Sequence, residues 1–290
     1  DSVAVQHHHA HVVSAMVEHG IRGHVIGVSF DGDGYGGDGM VWGGEFMMAE
    51  RRYFFRRAHL KYVPMPGGDK AAEEPWRMAV SYLYSAYGDA LYAGAPFFLE
   101  RFDEEKIRLI VKIIQDRINS PLTSSAGRLF DAVSALLGIV DISTFEAEAA
   151  ITLEKAAAGC KTPPGRVYPF EIKEREVIEV DATPLVKAIC DDIKKGTDIP
   201  AVAAVFHNTV AEMIVETAKM LREESAVDII VLSGGVFQNF ILLKRAVERL
   251  KREGFNVYHN EKVPINDGGI SMGQAVVAWE NIKVLRTIRH

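Results

Sequence analysis

The sequence predicts an α/β fold. Two observations carry this. Apolar runs of strand length, residues 24–31 (HVIGVSFD) and 227–232 (VDIIVL), each lead straight into a glycine-rich turn. Around them lie long stretches with the 3.6-residue apolar repeat of helices. Composition sets the frame: 290 residues at 48% hydrophobic content suffice for one large or two modest domains. A formal net charge of −6 argues against broad electrostatic binding of nucleic acid, though not against a local basic groove. The two cysteines, Cys160 and Cys190, form neither a CxxC zinc pair nor a disulfide framework. A reduced, cytoplasmic setting is therefore expected. No apolar run reaches the roughly 18 residues of a membrane span, and no signal peptide opens the chain. The start lacks a methionine, which leads us to expect a fragment or a processed piece.

The first element is Val5-Gln6-His7-His8-His9-Ala10-His11, followed by Val12, Val13, Ala15, Met16 and Val17 and ended by Gly20. This is the pattern of a helix closed by glycine. Positions i and i+4 share a helix face, so His7 and His11 project together, as two imidazoles must to reach one metal ion. Two plainer readings compete. Polyhistidine also marks expression tags, although Ala10 interrupts this run and apolar residues flank it. Surface histidines also occur with no ligand.

Residues 24–31 form a buried strand and 40–46 (MVWGGEF) its return, joined by the glycine-rich stretch 32–39 (GDGYGGDG). Glycine lets backbone N–H groups approach a ligand closely, so this turn is either a phosphate cradle or an ordinary wide hairpin. Asp31 ends the first strand, a common place for a carboxylate that faces metal or phosphate. Residues 51–63 read as a third strand with a basic edge, broken by 64–69 (PMPGGD). Helices are expected over 71–88, 103–117 and 127–138. Residues 124–128 (SSAGR) turn into the last of these, and Asp131 sits one turn inside it. Phe145 opens a further helix whose early acids, Glu146 and Glu148, suit the macrodipole.

Strand candidates follow at 167–173 and 176–180, within a glycine- and proline-bearing stretch, 159–183. Long helices are expected over 183–195 and 200–223. The strand 227–232 then runs through Ser233-Gly234-Gly235 to Asn239 and a helix over 240–252. A strand, a double glycine and a helix N-terminus make a platform for an anion or a nucleotide, because free N–H groups and the helix dipole converge there. A short strand, 256–259, leads to 264–269 (PINDGG) and a last helix from Ile270. Asp267 is either an N-cap or a ligand. There is no internal repeat, Walker A sequence, GxSxG elbow or HExxH motif.

Seven segments occur in one order over nearly the whole chain: VQHHHAH, FDGDGYGGDGMVWGGEF, PGGDKAAEEPWRMA, SSAGRLFDAVSALLG, FHNTVA, LSGGVFQN and NDGGISMGQA. Together they resemble the C-terminal carbamoyltransferase module of the HypF family of hydrogenase maturation proteins. That module is related to tRNA threonylcarbamoyladenosine enzymes and antibiotic O-carbamoyltransferases. The resemblance implies a two-lobed, actin/sugar-kinase-like (ASKHA) fold with nucleotide in the cleft. It puts one helix of the first lobe at 1–23 and the second lobe, with helical insertions, at 24–270. A C-terminal helix, 271–290, would return to the first lobe. The acylphosphatase-like, zinc-finger and YrdC-like domains of longer family members have no counterpart here, nor do the first lobe's strands.

By the same resemblance, His7, His11, Asp31 and Asp267 bind iron or zinc and serve catalysis through it. Magnesium could accompany the nucleotide. His8 and His9 lie off the shared face. Gly127, Asp131, Glu148, Gly234, Gly235 and Asn239 would hold ATP or carbamoyl-adenylate, with Asp131 and Glu148 accepting hydrogen bonds from ribose or adenine. Ala147 stands where the family's motif often has glycine, and its methyl is expected to narrow nucleotide access. The implied reaction carries a carbamoyl group from carbamoyl-adenylate, made from carbamoyl phosphate and ATP, to the C-terminal cysteine of HypE. That step begins cyanide-ligand synthesis for nickel–iron hydrogenase. The nucleophile is the partner's thiolate, so this chain needs no Ser or Cys triad. Threonylcarbamoyl transfer to tRNA, small-molecule O-carbamoylation and a non-catalytic nucleotide- or metal-binding remnant are the alternatives. VQHHHAH, WGGEF and the PGGD–EPWR segment favour the HypF type, and neither a membrane nor a nucleic-acid partner is expected.

Overall fold

A computed structural model describes residues 2–158, 160 and 166–288. Parts of two expectations, the loop at 159–183 and the C-terminal helix to residue 290, fall at 159, 161–165 and 289–290 and lie outside the described residues. Helix α1 (His7–Glu18) starts where the Gln6 side chain accepts a hydrogen bond from the His9 N–H. Strands β1 (Val25–Tyr35), β2 (Val41–Ala49), β3 (Phe54–Leu60) and β4 (Val63–Pro64) follow. Next comes a helical insertion of α2 (Lys70–Glu73), α3 (Pro75–Tyr87), α4 (Leu91–Gly94), α5 (Pro96–Leu99) and α6 (Glu104–Gln115). The chain continues through β5 (Leu122–Thr123), α7 (Ala126–Leu136), α8 (Glu148–Ala157), β6 (Glu171–Lys173) and β7 (Ile178–Asp181). It ends with α9 (Thr183–Lys194), α10 (Ile199–Ser225), β8 (Ile229–Ser233), α11 (Phe240–Arg252), β9 (Asn256–His259) and α12 (Ile270–Ile288).

The strands form one mixed sheet in the order β6-β7-β3-β2-β1-β8-β9, with β5 beside β2 and β4 beside β5. β1, β8 and β9 are parallel, while β1, β2 and β3 are antiparallel. The period-2 alternation of strand side chains feeds two cores. Ile26, Val28 and Phe30 point into the large core shared with α3, α7, α10 and α11. Val25, Met47 and Val231 point the other way, against Val12, Val13 and Met16 of α1 and Val277 of α12. Fully burying a Val or Met side chain contributes roughly 1.5–3 kcal/mol. The apolar face of α1 thus anchors it, and the histidine end is held by packing it does not itself provide. α12 crosses α1 closely: a Cβ on Gly273 would lie 2.0 Å from the Ala10 carbonyl oxygen.

Several expected elements change shape, each for a local reason. The helix expected over 71–88 is broken before Pro75, which lacks the N–H that a continuing helix needs. The helix expected to open at Phe145 begins only at Glu148, because Ala147 takes a left-handed backbone, φ 59° and ψ 15°. Where the family's motif often has glycine, Ala147 thus holds a backbone conformation that favours glycine. Only Glu148, not Glu146, lies in the first helical turn. The strand expected to stop at residue 31 runs on to Tyr35, so the glycine-rich stretch is half strand and half turn. α10 is long and apolar enough by composition to cross a membrane, but 72% of its most apolar window is buried within the fold. It is a core helix.

Candidate metal centre

Parallel pairing sets the site. Ser29 of β1 lies opposite Ser233 of β8, so the residues just beyond them, Asp31 and Gly234-Gly235, emerge side by side at the carboxyl ends of the strands, a favoured ligand position in α/β sheets. β1 also slips against β2 here: Phe30 pairs with Gly44 but Gly34 with Trp42. Asp31, Gly32 and Asp33 therefore face Gly43 alone, a bulge that re-aims their side chains. Gly234 has φ +106°, and a Cβ there would sit 2.3 Å from the Phe30 carbonyl oxygen, so only glycine fits.

Asp31 uses its two oxygens differently. Oδ1 accepts hydrogen bonds from the N–H groups of Gly32 (2.9 Å) and Gly235 (3.2 Å). Oδ2 faces His7 Nε2 at 3.0 Å and His11 Nε2 at 2.9 Å. Asp267 Oδ1 approaches the same nitrogens at 3.5 and 3.2 Å. The four ligand atoms all lie within 4.8 Å of one another. Tetrahedral zinc with bonds of about 2.0–2.2 Å sets its ligand atoms roughly 3.3–3.6 Å apart. The observed contacts, 2.9–3.5 Å, are near that spacing. Two imidazoles and two carboxylates could hold one small divalent ion, with a donor set suited to iron or zinc.

His11 and Asp31 are buried, His7 is half-buried and Asp267 is exposed, so the cluster opens to solvent on the Asp267 side. The Asn266 side chain, not Asp267, caps the last glycine turn by accepting from Gly268 N–H. This leaves the Asp267 carboxylate to face the histidines. Burial disfavours a charged Asp31, yet hydrogen bonds from His11 and His7 hold its carboxyl well below the usual range. Burial likewise opposes a charged His7, but the hydrogen bond and charge of Asp31, with Asp267 and Asp33, raise its pKa.

The neighbouring histidines face elsewhere. The Gln6 amide donates to His8 Nδ1 (3.0 Å) and to the Tyr35 carbonyl (3.2 Å), tying the start of α1 to the hairpin. His8 Nε2 is then the protonated nitrogen, buried without a hydrogen-bond partner among the described residues, and burial pushes the His8 pKa down to about 4. His9 donates to the Glu50 carbonyl at 2.7 Å.

The six residues expected to touch nucleotide divide into two groups. Gly234, Gly235 and Gly127 adjoin the cluster. A Cβ on Gly127 would lie 2.9 Å from Gly32 Cα, so α7 abuts the bulge that carries Asp31. Asp131, Glu148 and Asn239 are engaged locally. Asp131 is buried beside Arg128, with Arg128 Nε 2.8 Å from its Oδ2. Glu148 accepts from both the N–H and the hydroxyl of Thr144. Asn239 caps α11 through Leu242 N–H and its amide donates to His207 Nε2 at 2.9 Å.

The family described as "Carbamoyltransferase, Kae1-like Domain, second subdomain" matches residues 27–274. The chain belongs to this family. As a Kae1-like domain it is 35% identical to Carbamoyltransferase HypF of Synechocystis sp., covering 93% of this chain and 36% of that protein. It is 35% identical to the Carbamoyltransferase HypF homolog of Cupriavidus necator, covering 96% of this chain and 71% of that one. A solved structure, full-length HypF in the phosphate- and nucleotide-bound form, superposes with a TM-score of 0.89 at 41% identity, covering 95% of this chain and 36% of its own. The Kae1-like domain thus spans about a third of the Synechocystis relative.

Sequence reasoning missed three residues that build the site. Ser125 caps α7 and donates to the Asp31 carbonyl at 3.0 Å, fastening helix to bulge. Gln6 caps α1 and reaches the hairpin. His207 donates to the Ala203 carbonyl and steadies Asn239. A serine ahead of a helical repeat is a recognised cap signal, so Ser125 was detectable; Gln6 and His207 depend on tertiary contacts.

Proposed function

We propose that this chain is part of a HypF-type carbamoyltransferase with a two-lobed, ASKHA-like fold, mostly its second lobe, acting in the cytoplasm. In this reading 1–23 and 271–290 belong to the first lobe and 24–270 to the second. The domain would transfer the carbamoyl group of carbamoyl-adenylate, made from carbamoyl phosphate and ATP, to the C-terminal cysteine of HypE in maturation of nickel–iron hydrogenase. The thiolate attacks the carbamoyl carbon, the bond from that carbon to the phosphate oxygen breaks, and S-carbamoyl-cysteine and AMP result. The observation that carries the proposal is the convergence of His7, His11, Asp31 and Asp267 beside the Ser233-Gly234-Gly235 turn. The relatives' shared name as carbamoyltransferases supports it.

Iron or zinc held by these four residues would polarise a carbonyl and neutralise phosphate charge as a Lewis acid. The chain's own residues do the positioning. Gly32 and Gly235 hold Asp31 by its Oδ1, leaving Oδ2 toward the imidazoles. Gly127, Gly234 and Gly235 would let the nucleotide lie close to backbone. Asp131, Glu148 and Asn239 would reach ribose or adenine after leaving their present partners. Mass spectrometry of HypE incubated with this chain, ATP, carbamoyl phosphate and a separate carbamoyl-adenylate-forming domain tests the reading. A carbamoyl adduct on the terminal cysteine, dependent on this chain, is expected. Bound nucleotide without any adduct would show that the chain is not sufficient as a transferase.

A further inference from the structure

Arg128 lies in the first turn of α7 and is 8% exposed. It serves two carboxylates from different elements. Nη1 donates to Asp33 Oδ1 at 3.1 Å, and Nε stands 2.8 Å from Asp131 Oδ2. The second contact is an ion pair only: the N–H points off the line, so neither atom has a formed hydrogen bond among the described residues. The guanidinium is thus buried and incompletely satisfied, a costly state for a charged group. Its two partners differ in freedom. Asp131 is enclosed, whereas the Asp33 side chain is half exposed and rides on the bulge, two residues beyond Asp31.

We propose that Asp33 is a tethered competitor for the nucleotide phosphate, and that Arg128 is the cation that receives this phosphate when Asp33 swings out to solvent. The inference rests on the proposed reading that nucleotide lies along the backbone of Gly127, Gly234 and Gly235, beside the bulge and the start of α7. Three features support it. Gly127 presses α7 onto Gly32, which puts Arg128 at the bulge that carries the candidate metal ligand Asp31. Of the two paired side chains, Asp33 is half exposed and Arg128 largely buried, so the carboxylate is the part of the pair that faces solvent. Finally, among the described residues Asp33 accepts one hydrogen bond, at 3.1 Å, while a phosphate can engage the planar guanidinium through two parallel hydrogen bonds. A stronger bidentate anion displaces a weaker monodentate one, and the half-exposed Asp33 can rehydrate.

Calorimetric titration of the chain with AMP and with adenosine, in wild type and Asp33→Ala, tests this. Removing an exposed competing carboxylate should tighten AMP binding by about two- to fivefold and leave adenosine binding unchanged. The gain should shrink as salt is raised. Arg128→Gln combined with Asp131→Asn, which leaves no buried carboxylate unpaired, should bind AMP no more tightly than it binds adenosine, a comparison within the variant in which any lost ribose contact of Asp131 cancels. Unchanged or weaker AMP binding in Asp33→Ala overturns the proposal, since it makes the pair a simple tether of the bulge. So does an equal gain for adenosine, or no AMP binding in either protein. Should the double variant fail to fold, the Asp33→Ala comparison still decides. A missing HypE adduct with this AMP pattern intact would count against the proposed transfer, not against the competitor.

Discussion

Asp131 shows how one residue's surroundings become a measurable property of the fold. Its burial raises its pKa to about 6, against the opposing pull of Arg128. A carboxyl whose folded pKa exceeds its ordinary value of 3.8 binds its proton more tightly when folded. Its stabilising contribution is complete below about pH 4 and is lost as pH rises through about 6. Two units correspond to about 3 kcal/mol. Urea unfolding should therefore show Asp131→Asn gaining on the wild type between pH 4 and 7, by at most about 3 kcal/mol. A difference that stays flat across that window would contradict the burial. None of this was legible in the sequence, where Asp131 is one polar residue in a helical repeat. By contrast, the i, i+4 spacing of His7 and His11 stated their shared face outright, and both Nε2 atoms do meet one carboxylate oxygen.

Among the elements, the crossing of α1 and α12 is the most demanding contact. An exposed helical Gly→Ala change ordinarily stabilises by up to about 1 kcal/mol. At Gly273 the added methyl would meet the Ala10 carbonyl oxygen at 2.0 Å, and backbone cannot yield as a side chain can. Gly273→Ala should thus destabilise, by roughly 1–3 kcal/mol, measured as a lower urea midpoint; a stabilised variant would show that the helices are not in contact there. Most long helices and the strand 256–259 were legible, because their apolar periods are sustained. What was not legible had short-range causes. α4 and α5 have four residues each and β5 two, too few to show a period. β1 continues through its glycines because Gly34 and Tyr35 pair with Trp42 and Val41, a partnership that no local signal announces.

For the molecule as a whole, the candidate centre joins parts of the chain that are remote in sequence: α1 near the start, the β1 bulge, the β8 turn, and the glycine turn before α12. The strand–glycine–helix pattern made β8 and its turn visible, and pointed to an anion or a nucleotide. The structure adds that Gly235 N–H holds Asp31 beside the two histidines. Spacing alone could not bring Asp267 to His7, since only the folded sheet order does so; the family resemblance was what suggested it. The chain spans 36% of the Synechocystis relative, so transfer activity can depend on more than this domain holds. Metal binding does not share that dependence, because all four candidate ligands are present in this chain. The decisive measurement is metal content per chain after loading with iron(II) or zinc and desalting, compared for wild type, His11→Ala and Asp267→Asn. Asp267 is exposed, so its variant should keep the fold. About one ion per chain is expected in the wild type, with near-complete loss in His11→Ala and a clear loss in Asp267→Asn. A wild type without metal, or variants that retain it fully, would contradict the account.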